Sequence, residues 1–167
     1  MTTISSNQSL TQSQADTSGW PITIAANVTV TLSGNFTLDA TNEYFIIGGA
    51  NAVLDGNEQT VTVTVAAYNG LVQNGTNYPS SVAGYTSTVK DITVASSGSG
   101  ALAASGGWIG HFGYSTLATS TISGCISTGD ITTSYGGGIV GSGPGSAGNL
   151  TISHCYTTGN IASTAEC

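Results

Sequence analysis

Eight carboxylates, one lysine, two histidines and three cysteines are the side chains of this 167-residue sequence that acid–base, nucleophilic or metal chemistry would ordinarily use. The acids are Asp16, Asp39, Glu43, Asp55, Glu58, Asp91, Asp130 and Glu166. Cleavage of a glycosidic bond needs two carboxylates placed across that bond. Here the acids mostly differ in strand register, and no Asp-Asp pair occurs. The densest group is Asp55-Gly56-Asn57-Glu58. An Asp at such a place closes a tight turn by accepting backbone N–H groups, so a corner is expected there. Asp39 and Glu43 could join it around a calcium ion, but EF-hand and RTX spacings are absent, and no metal site is assigned.

His154 precedes Cys155, which suggests a Cys-His nucleophile. Neighbours on a strand project to opposite faces, so the two side chains cannot readily meet. His154 therefore reads as an outward residue, and His111 as a corner residue after Trp108-Ile109-Gly110. Cys125, Cys155 and Cys167 are odd in number and form no C-x-x-C pair. That fits neither a disulfide framework nor a zinc site. They are expected as small buried hydrophobes, with Cys125 and Cys155 reduced and slow to react. Gly-x-Ser-x-Gly, P-loop and dinucleotide fingerprints are absent. No helix is expected after Gly136-Gly137-Gly138, so these glycines form a corner and not a phosphate cradle. No catalytic residue and no cofactor is assigned. For binding, exposed aromatic rings can stack on sugars, and Tyr78, Tyr85, Trp108, Tyr114 and Tyr135 are taken as a glycan-binding face.

Charge narrows the partners. The net charge is −7, Lys90 is the only basic side chain, and there is no arginine. Nucleic-acid binding relies on Lys and Arg to neutralise phosphates, and an anionic membrane surface attracts polybasic segments. Neither partner suits this sequence. Met1 to Gln14 lacks the basic and apolar regions of a signal peptide, and no apolar run reaches the ~18 residues of a membrane span. Synthesis in the cytoplasm is expected; the final localisation is not assigned, and incorporation in a virion or surface structure would need another route. The Asn-x-Ser/Thr sequons at Asn7, Asn27, Asn35, Asn74 and Asn149 carry no weight in a chain so rich in these residues.

The elements that must position these groups follow from composition and repetition. Only 5% of residues are charged while 39% are hydrophobic, which argues against disorder. Ser, Thr, Asn and Gly supply the polarity, and these are poor helix formers. Thr121-Ile-Ser-Gly-Cys-Ile-Ser-Thr-Gly-Asp-Ile131 matches Thr151-Ile-Ser-His-Cys-Tyr-Thr-Thr-Gly-Asn-Ile161, an offset of 151 − 121 = 30. Gly106-Gly-Trp-Ile-Gly110 matches Gly137-Gly-Ile-Val-Gly141, an offset of 137 − 106 = 31. Ankyrin, TPR and leucine-rich repeats carry a helix in each unit, and propeller blades need about 40–45 residues. Short strands with Gly-rich corners at about 30 residues per unit predict an all-β chain, a right-handed parallel β-helix.

Upstream, Ile22 to Leu38 alternates as half-buried strands do, and Tyr44-Phe-Ile-Ile, Ala52-Val-Leu and Thr60 to Val65 read as further strands. Residues 1–19 are expected as a flexible or capping arm and 20–167 as the β-helix. Tyr68 to Gly84 is expected as a loop leaving it. Stacking places Ile122 under Ile152 and Cys125 under Cys155, so Ile152→Asp is expected to unfold or aggregate the chain.

Gly-Gly-Ile-Val-Gly (137–141) and Cys-Tyr-Thr-Thr-Gly-Asn-Ile (155–161) resemble GLUG-type repeats of bacterial surface proteins, over roughly residues 101–167. The stretch from Tyr44-Phe-Ile-Ile through Leu54-Asp-Gly-Asn57 is similar to the opening coils of pectate-lyase-like β-helices, and related repeat-rich chains occur in large DNA viruses. The resemblance implies a fold more than a function, because β-helices serve as lyases, hydrolases, adhesins and virus fibres. Lyases of this kind use an arginine base, which this chain lacks.

Two functional expectations follow. The first is a non-catalytic structural or surface module of a cell or virion, with glycan binding or adhesion as its expected activity. The second is a carbohydrate-active β-helix enzyme whose active coils are absent or degenerate here. Cys167 falls opposite Gly137, so the chain is also expected to be the N-terminal part of a longer repeat protein. If it is complete, its open edge is expected to pair in a dimer or trimer.

Overall fold

Strict alternation of β-branched and small polar residues produces very short strands with one inward and one outward face. The computed structural model describes residues 1–75, 84–111, 119–142 and 149–162, and among them finds fifteen strands and one helix. In chain order these begin with β1 (Thr2–Ile4), β2 (Gln8–Leu10), α1 (Gln12–Ser18), β3 (Ile22–Ile24) and β4 (Thr29–Leu32). Next come β5 (Phe36–Leu38), β6 (Phe45–Ile47), β7 (Ala52–Asp55), β8 (Thr60–Val63) and β9 (Val72–Gln73). The last are β10 (Ser87–Lys90), β11 (Thr93–Ser96), β12 (Ser120–Ser123), β13 (Ile126–Ser127), β14 (Leu150–Ser153) and β15 (Tyr156–Thr157).

These strands form three sheets: β1-β3-β6-β9, β2-β4-β7-β10-β12-β14 and β5-β8-β11-β13-β15. Every pairing is parallel. The chain visits the first, second and third sheets in the same cyclic order, and we call one such pass a rung. After β9 the first sheet continues only as isolated bridges, such as Val72 to Gly110 and Gly110 to Val140. The chain is therefore all-β with parallel sheets.

The core is built from columns of register partners. Val30, Leu54, Val89 and Ile122 stack in the second sheet, and each is fully buried. The expected stacking of Ile122 on Ile152 is present, yet Ile152 is 43% exposed while Ile122 is 0%. Phe36, Val61 and Val94 form an equivalent column in the third sheet. Ser127 continues it and stays satisfied, because its hydroxyl donates to Thr157 Oγ1 at 3.0 Å.

The repeat length differs from expectation along the chain. Register partners are 30 apart at the end (150 − 120), but 22 apart at the start (30 − 8) and 35 apart midway (87 − 52). The difference lies mainly in the connection from the first sheet to the second. It holds four residues between Ile24 and Thr29 and thirteen between Gln73 and Ser87.

Residues 1–19 are not outside the sheets, since β1 pairs with β3 and β2 with β4. The unexpected helix α1 starts at a Thr11–Gln14 capping box, whose Thr-x-x-Gln signal is present in the sequence. It occupies the chain position where later rungs place a third-sheet strand, and Gln12 Oε1 accepts the Thr37 N–H of β5 at 2.8 Å. Tyr68 to Gly84 is not simply a loop either. Tyr68 is fully buried, its hydroxyl donating to Glu43 O at 2.8 Å, and β9 follows within the same stretch. Asn74, also buried, holds both backbone groups of Tyr85: its Oδ1 accepts the N–H and its Nδ2 donates to the carbonyl, each at 2.8 Å. Residues 76–83 lie outside the described residues.

Candidate functional site

The corner between the second and third sheets gathers more charge than any other described region. Lys90 and Asp55 are direct register partners on β10 and β7. Their ammonium and carboxylate meet at 2.6 Å, and Asp91 Oδ2 lies 3.4 Å from the same nitrogen. Asp55 Oδ1 also accepts the Asn57 N–H at 2.9 Å, the tight-turn role read from the sequence. Asn57 and Glu58 take left-handed backbone angles (φ 51° and 61°), and Glu58 N–H donates to Asp91 O at 2.8 Å. A cleft of about 340 Å³ opens beside them, lined by Glu58, Asp91, Ile92, Thr93, Gly124 and Ile126. Gly124 keeps it open, because a Cβ there would fall on Asp91 Oδ1.

The chemistry of this corner is that of a clamp. The hydrogen bond to Asp55 is the main cause that raises the Lys90 pKa, so the amine stays protonated and is no base. Asp55 is occupied by Lys90 and by the turn it closes. Among the described residues, no group of three His, Cys, Asp or Glu could hold a metal ion. The pair is partly solvated, with side chains 37% and 20% exposed, so it is worth about 0–1 kcal/mol. Lys90→Met should therefore shift a denaturant midpoint only slightly at neutral pH. Since folding raises this pKa, the stabilisation is complete below the ordinary lysine value of 10.5 and is lost as pH rises through the folded-state value. Denaturant titrations of both proteins at pH 7 and above that value check this: the small difference at pH 7 should vanish.

Glu43 and Asp130 are also engaged in backbone geometry. Glu43 Oε2 accepts the N–H groups of Asp39 and Ala40 at 2.6 and 3.1 Å, so that pair closes its own turn. Asp130 borders a second, more polar cleft of about 460 Å³ with the Ser96–Ala101 turn and Thr132, and its Oδ1 accepts Asn160 N–H at 2.9 Å.

His154 is exposed with φ 54°, stacked above Gly124 (φ 62°) and Asp91 (φ 55°). Cys155 faces the core, so no Cys-His pair forms. Ile92, Cys125 and Cys155 occupy the same place in successive rungs, each the second residue of a two-residue corner. Burial pushes the Cys125 thiol up to about 12, which keeps it protonated. Cys155 is only partly buried, contrary to the expectation that both thiols are shielded. Cys167 lies outside the described residues.

Three residues of the expected aromatic face, Tyr85, Trp108 and Tyr135, are among the described residues. Trp108 is 0% exposed and belongs to the core, packed where Gly129 leaves room for its indole, so it cannot stack on a ligand. The bridges Gly107 to Gly137 and Gly110 to Val140 pair the two glycine-rich units at 137 − 107 = 30, one less than their sequence match, so Trp108 lies opposite Gly138 and not Ile139. Tyr85 and Tyr135 are exposed, at 43% and 57%, but sit in different connections. Tyr85 lies between β9 and β10, and Tyr135 lies between β13 and Gly137, which bridges to Gly107. Tyr78 and Tyr114 fall outside the described residues.

Comparison with protein-family models, curated proteins and solved structures finds no match. Among the described residues, no helix is long and apolar enough to cross a membrane.

Proposed function

We propose that this chain is a right-handed parallel β-helix acting as a non-catalytic structural module of a cell or virion surface, with glycans as its surface ligand. The observation that carries this reading is where the polar side chains are used. Asn7 accepts from Thr29 N–H, Asn35 from Thr60 N–H and Asp130 from Asn160 N–H, while Asn51 donates to Asn27. Lys90 joins Asp55 in the same way. These polar side chains bind one rung to the next, as a load-carrying stack requires. The right hand follows from the general preference of parallel crossovers. The GLUG-like units are consistent with a surface role, and Tyr85, Tyr135 and Tyr156 are exposed rings available for sugar stacking.

The cleft at Glu58 and Asp91 favours a second reading, a carbohydrate-active enzyme of the same fold. A glycan array paired with a polysaccharide depolymerisation assay separates the two. Binding that weakens in Tyr85→Ala or Tyr135→Ala, without cleavage, is the expected result. Turnover abolished by Glu58→Gln or Asp91→Asn would replace the structural reading with the enzymatic one.

A further inference from the structure

Cys125 and Cys155 are unused by the corner clamp and by the surface tyrosines, and their placement is specific. They lie between the register pairs Ser123–Ser153 and Ile126–Tyr156, so they are themselves neighbours on consecutive rungs. The Cys125 N–H donates to Cys155 Sγ at 3.4 Å. Each sulfur also lies near the carbonyl two residues before it, Cys125 at 3.3 Å and Cys155 at 3.2 Å, so the side chains leave the corner in the same way. In-register neighbours on parallel strands are about 4.8 Å apart, inside the Cα range of about 4.4–6.8 Å that a disulfide spans. Ile92, one rung earlier, shows that the column itself asks only for an apolar side chain.

Exposure makes the two thiols unequal. Cys155 is partly open to solvent, whereas Cys125 is wholly buried beneath it. An oxidant arriving from solution meets Cys155 first, and Cys125 is the thiol in contact with the product.

We propose that Cys125 and Cys155 form a redox staple, reduced at rest and closed by exchange with a small-molecule disulfide such as oxidised glutathione. The Cys155 thiolate attacks one glutathione sulfur, forming a mixed disulfide and expelling the other glutathione as its thiolate. The sulfur of Cys125 then attacks Cys155 Sγ and expels the second glutathione, to which the Cys125 proton passes. Two protein thiols are oxidised by two electrons and one glutathione disulfide is reduced to two thiols. The new bond closes a loop of about one rung and restricts the unfolded chain, so the oxidised form resists unfolding more.

The test uses the full chain with Cys167→Ser, treated with oxidised glutathione and followed by intact mass and thermal unfolding. The expected product has lost two hydrogen atoms, carries no glutathione, remains monomeric on a non-reducing gel, and melts higher until dithiothreitol is added. In Cys125→Ser the glutathione adduct on Cys155 should persist, and in Cys155→Ser neither product should form. A lasting adduct on Cys155 with both cysteines present, a disulfide-linked dimer, or no reaction at all would each overturn the staple.

Discussion

Replacing Trp108 with Ala should cost about 3–5 kcal/mol, the range for deleting a large buried aromatic side chain. Trp108 heads the fully buried side chains by size, and no wall of its site is solvent. The neighbouring glycines cannot swell to fill the void, and short strands held by ladders on both sides have little freedom to collapse. One effect opposes this. Trp108 Nε1 is buried without a hydrogen-bond partner among the described residues, and removing it relieves a penalty of about 1–3 kcal/mol. The quoted range already contains such local compensation, so the net loss remains large. Trp108→Phe separates the two effects, because it keeps much of the apolar volume and deletes the unpartnered N–H. It should lose less than half of what Ala loses. Gly129→Ala approaches the same contact from the other side, since its Cβ would fall on indole atoms Cε2 and Cζ2. Overpacking there should cost about 1–3 kcal/mol. Urea unfolding of the three variants is the measurement, and an Ala variant as stable as the parent would remove Trp108 from the core.

Ile122→Asp should prevent folding. Its side chain is wholly buried between Val89 below and Ile152 above, and no basic group lies in that column. The effective penalty for an unpaired buried ion is several kcal/mol, to which the lost apolar packing adds. That sum is comparable with the whole stability of a typical domain, about 5–15 kcal/mol. Ile152→Asp, expected from the repeat alone to be equally damaging, should instead give a folded protein with a smaller loss. Ile152 is 43% exposed, so its carboxylate keeps much of its hydration. Soluble yield and far-UV circular dichroism of the two variants compare them directly. Equal behaviour would contradict the burial assigned to the column.

Much of the architecture was legible because it is written in local pattern. The alternation in Ile22 to Leu38 shows the inward set, and every inward residue of β3, β4 and β5 is buried. The matched units at 121 and 151 read directly as register, because identical residues stack best on themselves. The Asp55 turn was legible for the same reason, since an Asx turn is satisfied within a few residues. Three features are less legible. The Thr11–Gln14 capping box sits among neighbours that disfavour helix. Asn74 looked like a loop residue, and only its bonds to Tyr85 across eleven positions reveal why an amide is buried there. Trp108 looked like a ligand-stacking ring because burial of a large aromatic depends on what faces it, here Gly129, twenty-one residues away.

The sequence by itself determined the all-β class, the inward and outward faces and the stacking of the last two units. Each of these depends on periodicity, which a linear string carries completely. Only the tertiary structure decided which chemical groups meet. Lys90 and Asp55 are thirty-five residues apart, yet become the closest ion pair. Cys125 and Cys155 share one column but differ in access to solvent. Such differences arise from the neighbouring rungs above, below and across the core, and those neighbours are set by folding.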